Sequence, residues 1–171
     1  MSLTKGVYSI RFVPPGMEPP FMGGMYATPK GYGEPIYGEA LGPSATGNQT
    51  WQLNPCNDGE PNTFIITTPQ WPKLPFSIQG PGPVLPGWGL VGDVPTGRHD
   101  NVLLKVSDVK WRIELAEDGK TYTISPAETD GRVGVSFYVD LDSRSETLYI
   151  KTIPVIRDPP PAPRWEFTLS N

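Results

Sequence analysis

Covalent, acid–base and metal chemistry depend on a few side-chain types, and this chain of 171 residues is poor in them. It has one cysteine, Cys56, and one histidine, His99. A thiolate–imidazole pair would need these two in contact, with a third group orienting the ring. Cys56 sits in Asn54-Pro55-Cys56-Asn57-Asp58-Gly59 and His99 in Gly97-Arg98-His99-Asp100, both turn-like segments with nothing to mark such a constellation. Zinc sites are built mainly from several Cys and His ligands, so no metal site is expected. The carboxylates Asp140/Asp142 and Glu117/Asp118 fall where hairpin turns are expected. They read as solvated turn formers rather than an acid–base pair. No glycine-rich segment follows a strand and opens a helix, so a phosphate cradle is lacking. The expectation is a protein with no catalytic residue and no cofactor, whose chemistry is non-covalent recognition.

Recognition surfaces are sought where proline and glycine cluster beside apolar side chains. The first such segment is Pro14-Pro15-Gly16-Met17-Glu18-Pro19-Pro20-Phe21-Met22-Gly23-Gly24-Met25. Its prolines restrict φ and lower the entropy lost on docking. At Gly23-Gly24 a bare backbone can approach a partner closely, and Phe21, Met22 and Met25 can fill shallow subsites beside it. The same glycine pair can equally be the turn into the next strand, and both readings stand. A second segment, residues 69–100, holds Trp71 and Trp88 among many Pro and Gly residues. It reads as a long insertion without secondary structure of its own, a kind of loop that tends to be functional or flexible. Its two tryptophans either pack the loop onto the body of the protein or face a partner.

The elements that must carry these loops follow from composition. Pro (22) and Gly (19) together occupy 41 of 171 positions, near the level of a disordered chain. Yet 37% of residues are hydrophobic, 11% are aromatic, and net charge is only −4, which is enough apolar material for a packed core. No stretch free of breakers is long enough for a helical bundle, and glycine has no period of three. Short apolar runs between breakers leave an all-β domain with many turns. No run approaches the roughly 20 apolar residues that span a bilayer, so no membrane partner is expected. The slight acidity, without a Lys/Arg cluster, argues against nucleic acid. Met1 to Gly6 lacks the apolar region of a signal peptide, and a lone cysteine suits a reducing compartment, so a cytoplasmic location is expected.

A threefold repeat organises the strands. Trp51, Trp111 and Trp165 begin alternating segments and lie 60 and 54 residues apart. In the same phase, Tyr8, Phe64 and Tyr122 lie 56 and 58 apart, each two residues before an isoleucine. Two more strand candidates fall inside each repeat: Gly24–Thr28 and Ile36–Ala40, Trp88–Val91 and Asn101–Val106, then Val133–Val139 and Thr147–Lys151. Three units of four strands, about 1–57, 58–117 and 118–171, make a β-trefoil, a six-stranded barrel capped by three hairpins. The repeated aromatics are assigned to the core, since periodic aromatic positions fill a symmetric interior.

Gly23-Gly24-Met25-Tyr26-Ala27-Thr28, then Pro35-Ile36, then Glu39-Ala40-Leu41-Gly42-Pro43 and Trp51 resemble the mycocypins of mushrooms, the clitocypins and macrocypins. The carboxy end, Leu148 to Ile156 leading to Pro163-Arg164-Trp165, is similar to the macrocypins in particular. The resemblance covers both termini and thins over residues 69–145. It implies a cofactor-free β-trefoil inhibitor of papain-like cysteine proteases, of papain or cathepsin type. Two loops of the first unit would occlude the cleft: one with Pro20, Phe21, Met22, Gly23, Gly24 and Met25, the other with Leu41, Gly42, Pro43, Ser44 and Ala45.

Some members of that family also inhibit legumain through an asparagine in a loop of the second unit. Here the corresponding stretch reads Gln70-Trp71-Pro72-Lys73-Leu74-Pro75, with no asparagine between Asn62 and Asn101, so legumain is a doubtful partner. Lys73, between two prolines and near Trp71 and Leu74, is either a specificity residue for a trypsin-like serine protease or an ordinary solvated lysine. Other functions on the same scaffold are a carbohydrate-binding lectin, a trefoil-type serine protease inhibitor, or a storage protein. A threefold lectin would repeat a polar and aromatic site in each unit, whereas these units differ most in their loops and no Gln-x-Trp motif recurs.

Overall fold

The computed structural model describes residues 3–18, 23–42, 49–56, 59–69, 85–97 and 99–170. Among the described residues twelve strands occur and no helix is found. They are β1 Gly6–Val13, β2 Met25–Thr28, β3 Tyr37–Ala40, β4 Thr50–Pro55, β5 Thr63–Thr67, β6 Gly87–Gly89, β7 Leu103–Lys105, β8 Trp111–Leu115, β9 Tyr122–Pro126, β10 Val135–Leu141, β11 Leu148–Pro154 and β12 Arg164–Leu169. Pairing runs β1-β12-β9-β8-β5-β4 and back to β1, which closes a six-stranded antiparallel barrel. Closure removes the free edges that an open sheet would expose. The hairpins β2–β3, β6–β7 and β10–β11 cap it. The protein is a β-trefoil, as its repeat implied.

The register explains why the repeat takes the form it does. Tyr8 lies opposite Trp51, Phe64 opposite Trp111, and Tyr122 opposite Trp165. The two aromatic series are therefore cross-strand partners at three equivalent places in the barrel. All six are buried, and Ile10, Ile66 and Ile124 beneath them have no exposed surface. Each repeated indole also has the same polar task. Trp51 Nε1 donates to the Ala27 carbonyl at 2.8 Å, Trp111 to Trp88 at 3.1 Å, and Trp165 to Val139 at 2.9 Å. Burying an indole removes roughly 200 Å² from water, worth about 5 kcal/mol as an upper bound. The bond to a cap strand satisfies the one polar group such burial would otherwise strand.

Those three acceptors identify Trp88 as the counterpart of Ala27 and Val139. Trp88 is thus a core residue of β6, only 1% exposed: the strand expected at Trp88–Val91 forms at Gly87–Gly89, inside the stretch 69–100 that otherwise reads as an insertion without secondary structure. It packs edge-on against Trp51 and Trp111, with ring centroids 5.6 and 5.9 Å away. One large side chain in the second unit fills space that alanine and valine leave in the other two. Gly87, beside it, lets β6 lie close to β5, because a Cβ there would collide with the Ile66 backbone.

The caps are joined by a cyclic set of backbone bonds. Ile36 N–H donates to Val102 O at 2.8 Å, Val102 N–H to Leu148 O at 2.9 Å, and Leu148 N–H to Ile36 O at 2.8 Å. All three side chains are fully buried. Asp140 departs from the expected solvated turn: it lies in β10, 7% exposed, where its carboxylate accepts from Lys151 Nζ at 2.8 Å. A carboxylate at that depth needs such a partner.

Candidate functional site

The first-unit loops are set side by side by one pairing. Met25 and Ala40 are opposite each other at the open end of the β2–β3 hairpin. The chain enters that end from Gly24 and leaves it through Leu41, so the two loops are held as neighbours by strand register.

Each loop is braced at its base. In the first, Pro14 and Met17 close a turn through Met17 N–H to Pro14 O at 3.1 Å, with Gly16 at φ 80°. Proline followed by a left-handed glycine is the pattern of a type II turn. At the far end Gly23 and Gly24 have φ of 77° and 118°. The first value is open to Asn as well as Gly; the second is nearly exclusive to glycine. A Cβ on Gly23 would meet nothing within 4 Å, so this glycine is open as well as bare.

Two arginines reach this loop from the barrel. Arg11 on β1 donates from Nη1 to the Gly23 carbonyl at 2.8 Å, while Nε and Nη2 hold Glu166 on β12, its cross-strand partner. Arg164 on β12 donates from Nη2 to the Met17 carbonyl at 3.0 Å and from Nη1 to Asp118 Oδ2 at 3.0 Å. Asp118 lies inside the β8–β9 turn, which Gly119 N–H closes on Ala116 O at 3.0 Å. Its burial pushes the carboxyl upward, but Thr121 Oγ1, the N–H groups of Thr121 and Lys120, and Arg164 all donate to it and together hold it at about 2.

The second loop is braced by Gln49, which is 1% exposed. Its Nε2 donates to Thr28 Oγ1 at 2.9 Å and lies 3.3 Å from the carbonyls of Glu39 and Ala40. The triplet Gln49-Thr50-Trp51 is thus consumed inside the protein. Leu41, 57% exposed, stands where the loop departs.

Of the residues singled out in the sequence, Gly23, Gly24, Met25, Leu41 and Gly42 are therefore brought to one end of one hairpin. Pro20, Phe21, Met22, Pro43, Ser44 and Ala45 lie outside the described residues. So do Trp71, Pro72, Lys73 and Leu74, whose connection is closed at its base by Thr68 N–H to Pro86 O at 2.9 Å. The residues that sequence reasoning missed are Arg11, Arg164 and Gln49. Arg164 is marked in the sequence only as part of the Pro163-Arg164-Trp165 ending, which carries no hint of its contact with the loop.

The polar groups found elsewhere form no reactive constellation. His99 stacks on Tyr149 at 4.2 Å, with Nε2 3.5 Å from Asp142. Cys56 continues the β4–β5 ladder through its N–H to Thr63 O at 2.8 Å. Among the described residues no group of His, Cys, Asp and Glu is placed to hold a metal ion, and no helix is long and apolar enough to cross a membrane.

A β-trefoil that carries a loop braced at both ends, with bare glycine where it leads into β2, is a scaffold of the kind that places binding contacts on loops. Residues 6–167 match the family described as peptidase inhibitor clitocypin, and the chain belongs to it. It is a peptidase inhibitor, not an enzyme, and the resemblance to the mycocypins is borne out at family level. No curated protein matches the chain.

Proposed function

We propose that the chain is a reversible inhibitor of papain-like cysteine proteases and that the two first-unit loops cover the active-site cleft. The observation that carries this reading is Gly23, bare and open to close approach, followed by a second positive-φ glycine and set at the same hairpin end as exposed Leu41. A cleft built to take an extended peptide accepts a backbone free of side chains more deeply than one with them. The target's nucleophile is then occluded without any bond being made. Support for a place near the macrocypins comes from the Pro154-Val155-Ile156 and Pro163-Arg164-Trp165 ending.

Inhibition constants for papain and a cathepsin, with trypsin as the contrasting class, test the proposal. Wild type is expected to inhibit both cysteine proteases. Gly23→Asn adds bulk at a φ that Asn tolerates and is expected to weaken inhibition by about tenfold or more. Gly24→Trp adds both bulk and backbone strain and is expected to weaken it further. Unchanged constants in both variants would remove this loop from the interface. Inhibition of trypsin alone would reassign the target class.

A further inference from the structure

A loop that docks by its backbone loses less entropy on binding when its two ends are already held by the body of the protein. In the described part of the 14–24 loop the internal bond is the Pro14–Met17 turn. The carbonyls of Met17 and Gly23, one on each shoulder, instead receive guanidinium N–H groups from the barrel. Neither arginine is a loose surface cation. Arg11 is 8% exposed and is aligned by Glu166; Arg164 has a side chain 25% exposed and is aligned by Asp118. Each carboxylate fixes one side of a planar fork, so the other side points in one direction. Because each cation is already neutralised, the grip on the carbonyl is directional rather than long-range.

Resting on the function proposed above, we propose that Arg11 and Arg164 are positioning residues that fix Met17 and Gly23, the described ends of the first-unit loop, for docking. The β8–β9 turn and the last strand thereby set the competence of a loop in the first unit. The path Thr121–Asp118–Arg164–Met17 is the longer arm, and Glu166–Arg11–Gly23 the shorter. Arginine is required at both places because a lysine ammonium is a single point and cannot hold a carboxylate and a carbonyl in the same fixed fork.

The test uses the whole protein with Arg164→Met, Arg164→Lys, and the paired Arg11→Met/Glu166→Leu, which removes both charges together and so avoids stranding Glu166. Amide hydrogen exchange of residues 16–25 is measured in the free protein, alongside thermal midpoints and association rates with papain. The expected result is exchange at least about fivefold faster within the loop, with the barrel strands unchanged. The association rate should fall by about tenfold in Arg164→Met and not be restored in Arg164→Lys. Unchanged loop exchange in all variants overturns the proposal, as does faster exchange with unchanged association. Gly24→Trp, run in parallel, separates the two ideas. If it alone weakens inhibition, the arginines are not positioning residues; if it too is silent, the failure lies with the loop's assigned function.

Discussion

Four buried tryptophans carry unequal loads. Trp51, Trp111 and Trp165 each combine a buried ring with a hydrogen bond to a cap strand. Trp88 is equally buried, but its Nε1 has no partner among the described residues. Trp165→Phe removes ring volume and the bond to Val139, and is expected to destabilise the fold by about 2–4 kcal/mol. Trp88→Phe loses volume but no such bond, so it should cost about 1 kcal/mol less. Denaturant midpoints of the two variants at equal m-value check the difference. An equal cost would mean that packing alone decides both sites. The same scale shows what was hidden in the sequence. Trp88 looked like a loop aromatic because its threefold counterparts are Ala27 and Val139, which share neither its size nor its chemistry. A core specifies total volume around its axis, not the identity of each contribution.

The β8–β9 turn shows how an element carries a signal beyond its own hairpin. With its folded-state carboxyl at about 2 against an ordinary 3.8, Asp118 favours folding when ionised. A depressed carboxylate contributes fully above its unfolded value, and the contribution fades as pH falls toward the folded one. Between about pH 4 and pH 2 the wild type should lose roughly 1–2 kcal/mol, allowing for partial solvent screening. Asp118→Asn should lack that component and be less stable at neutral pH by a similar amount. Chemical denaturation across this range decides it; parallel pH profiles for the two proteins would contradict the assignment. Neighbouring Glu117 and Asp118 had read only as turn formers. Asp118 does form the turn through Lys120 and Thr121, but its link to Arg164 crosses 46 residues of sequence and leaves no local pattern.

At the scale of the molecule, β1 and β12 run together along the barrel, so the chain closes on itself. Ser170 N–H donates to Val7 O at 2.8 Å. A circular permutant in which β12 is linked to β1 and the chain is opened at the exposed Gly131 should fold and retain inhibition, since it leaves both arginine tethers intact. Removing residues 164–171 should instead abolish folding, because β12 supplies Trp165 and closes the ring. Circular dichroism and a papain assay on both constructions distinguish these outcomes; loss of folding in the permutant would show that the order of assembly matters as well as the final contacts.

The amino-acid sequence by itself determined that the protein is all-β and threefold. These properties are carried by side-chain type: buried barrel positions demand large apolar groups, and three repeats write the demand three times. Tertiary structure alone decided that Gly24 and Leu41 leave the same hairpin end, that Trp88 belongs to the core, and that Arg11 and Arg164 hold the first loop. Each of those follows from strand register and barrel closure, which join residues far apart in the chain. A guanidinium meeting one backbone carbonyl across such a distance imposes no periodicity and no composition, so nothing in the linear order announces it.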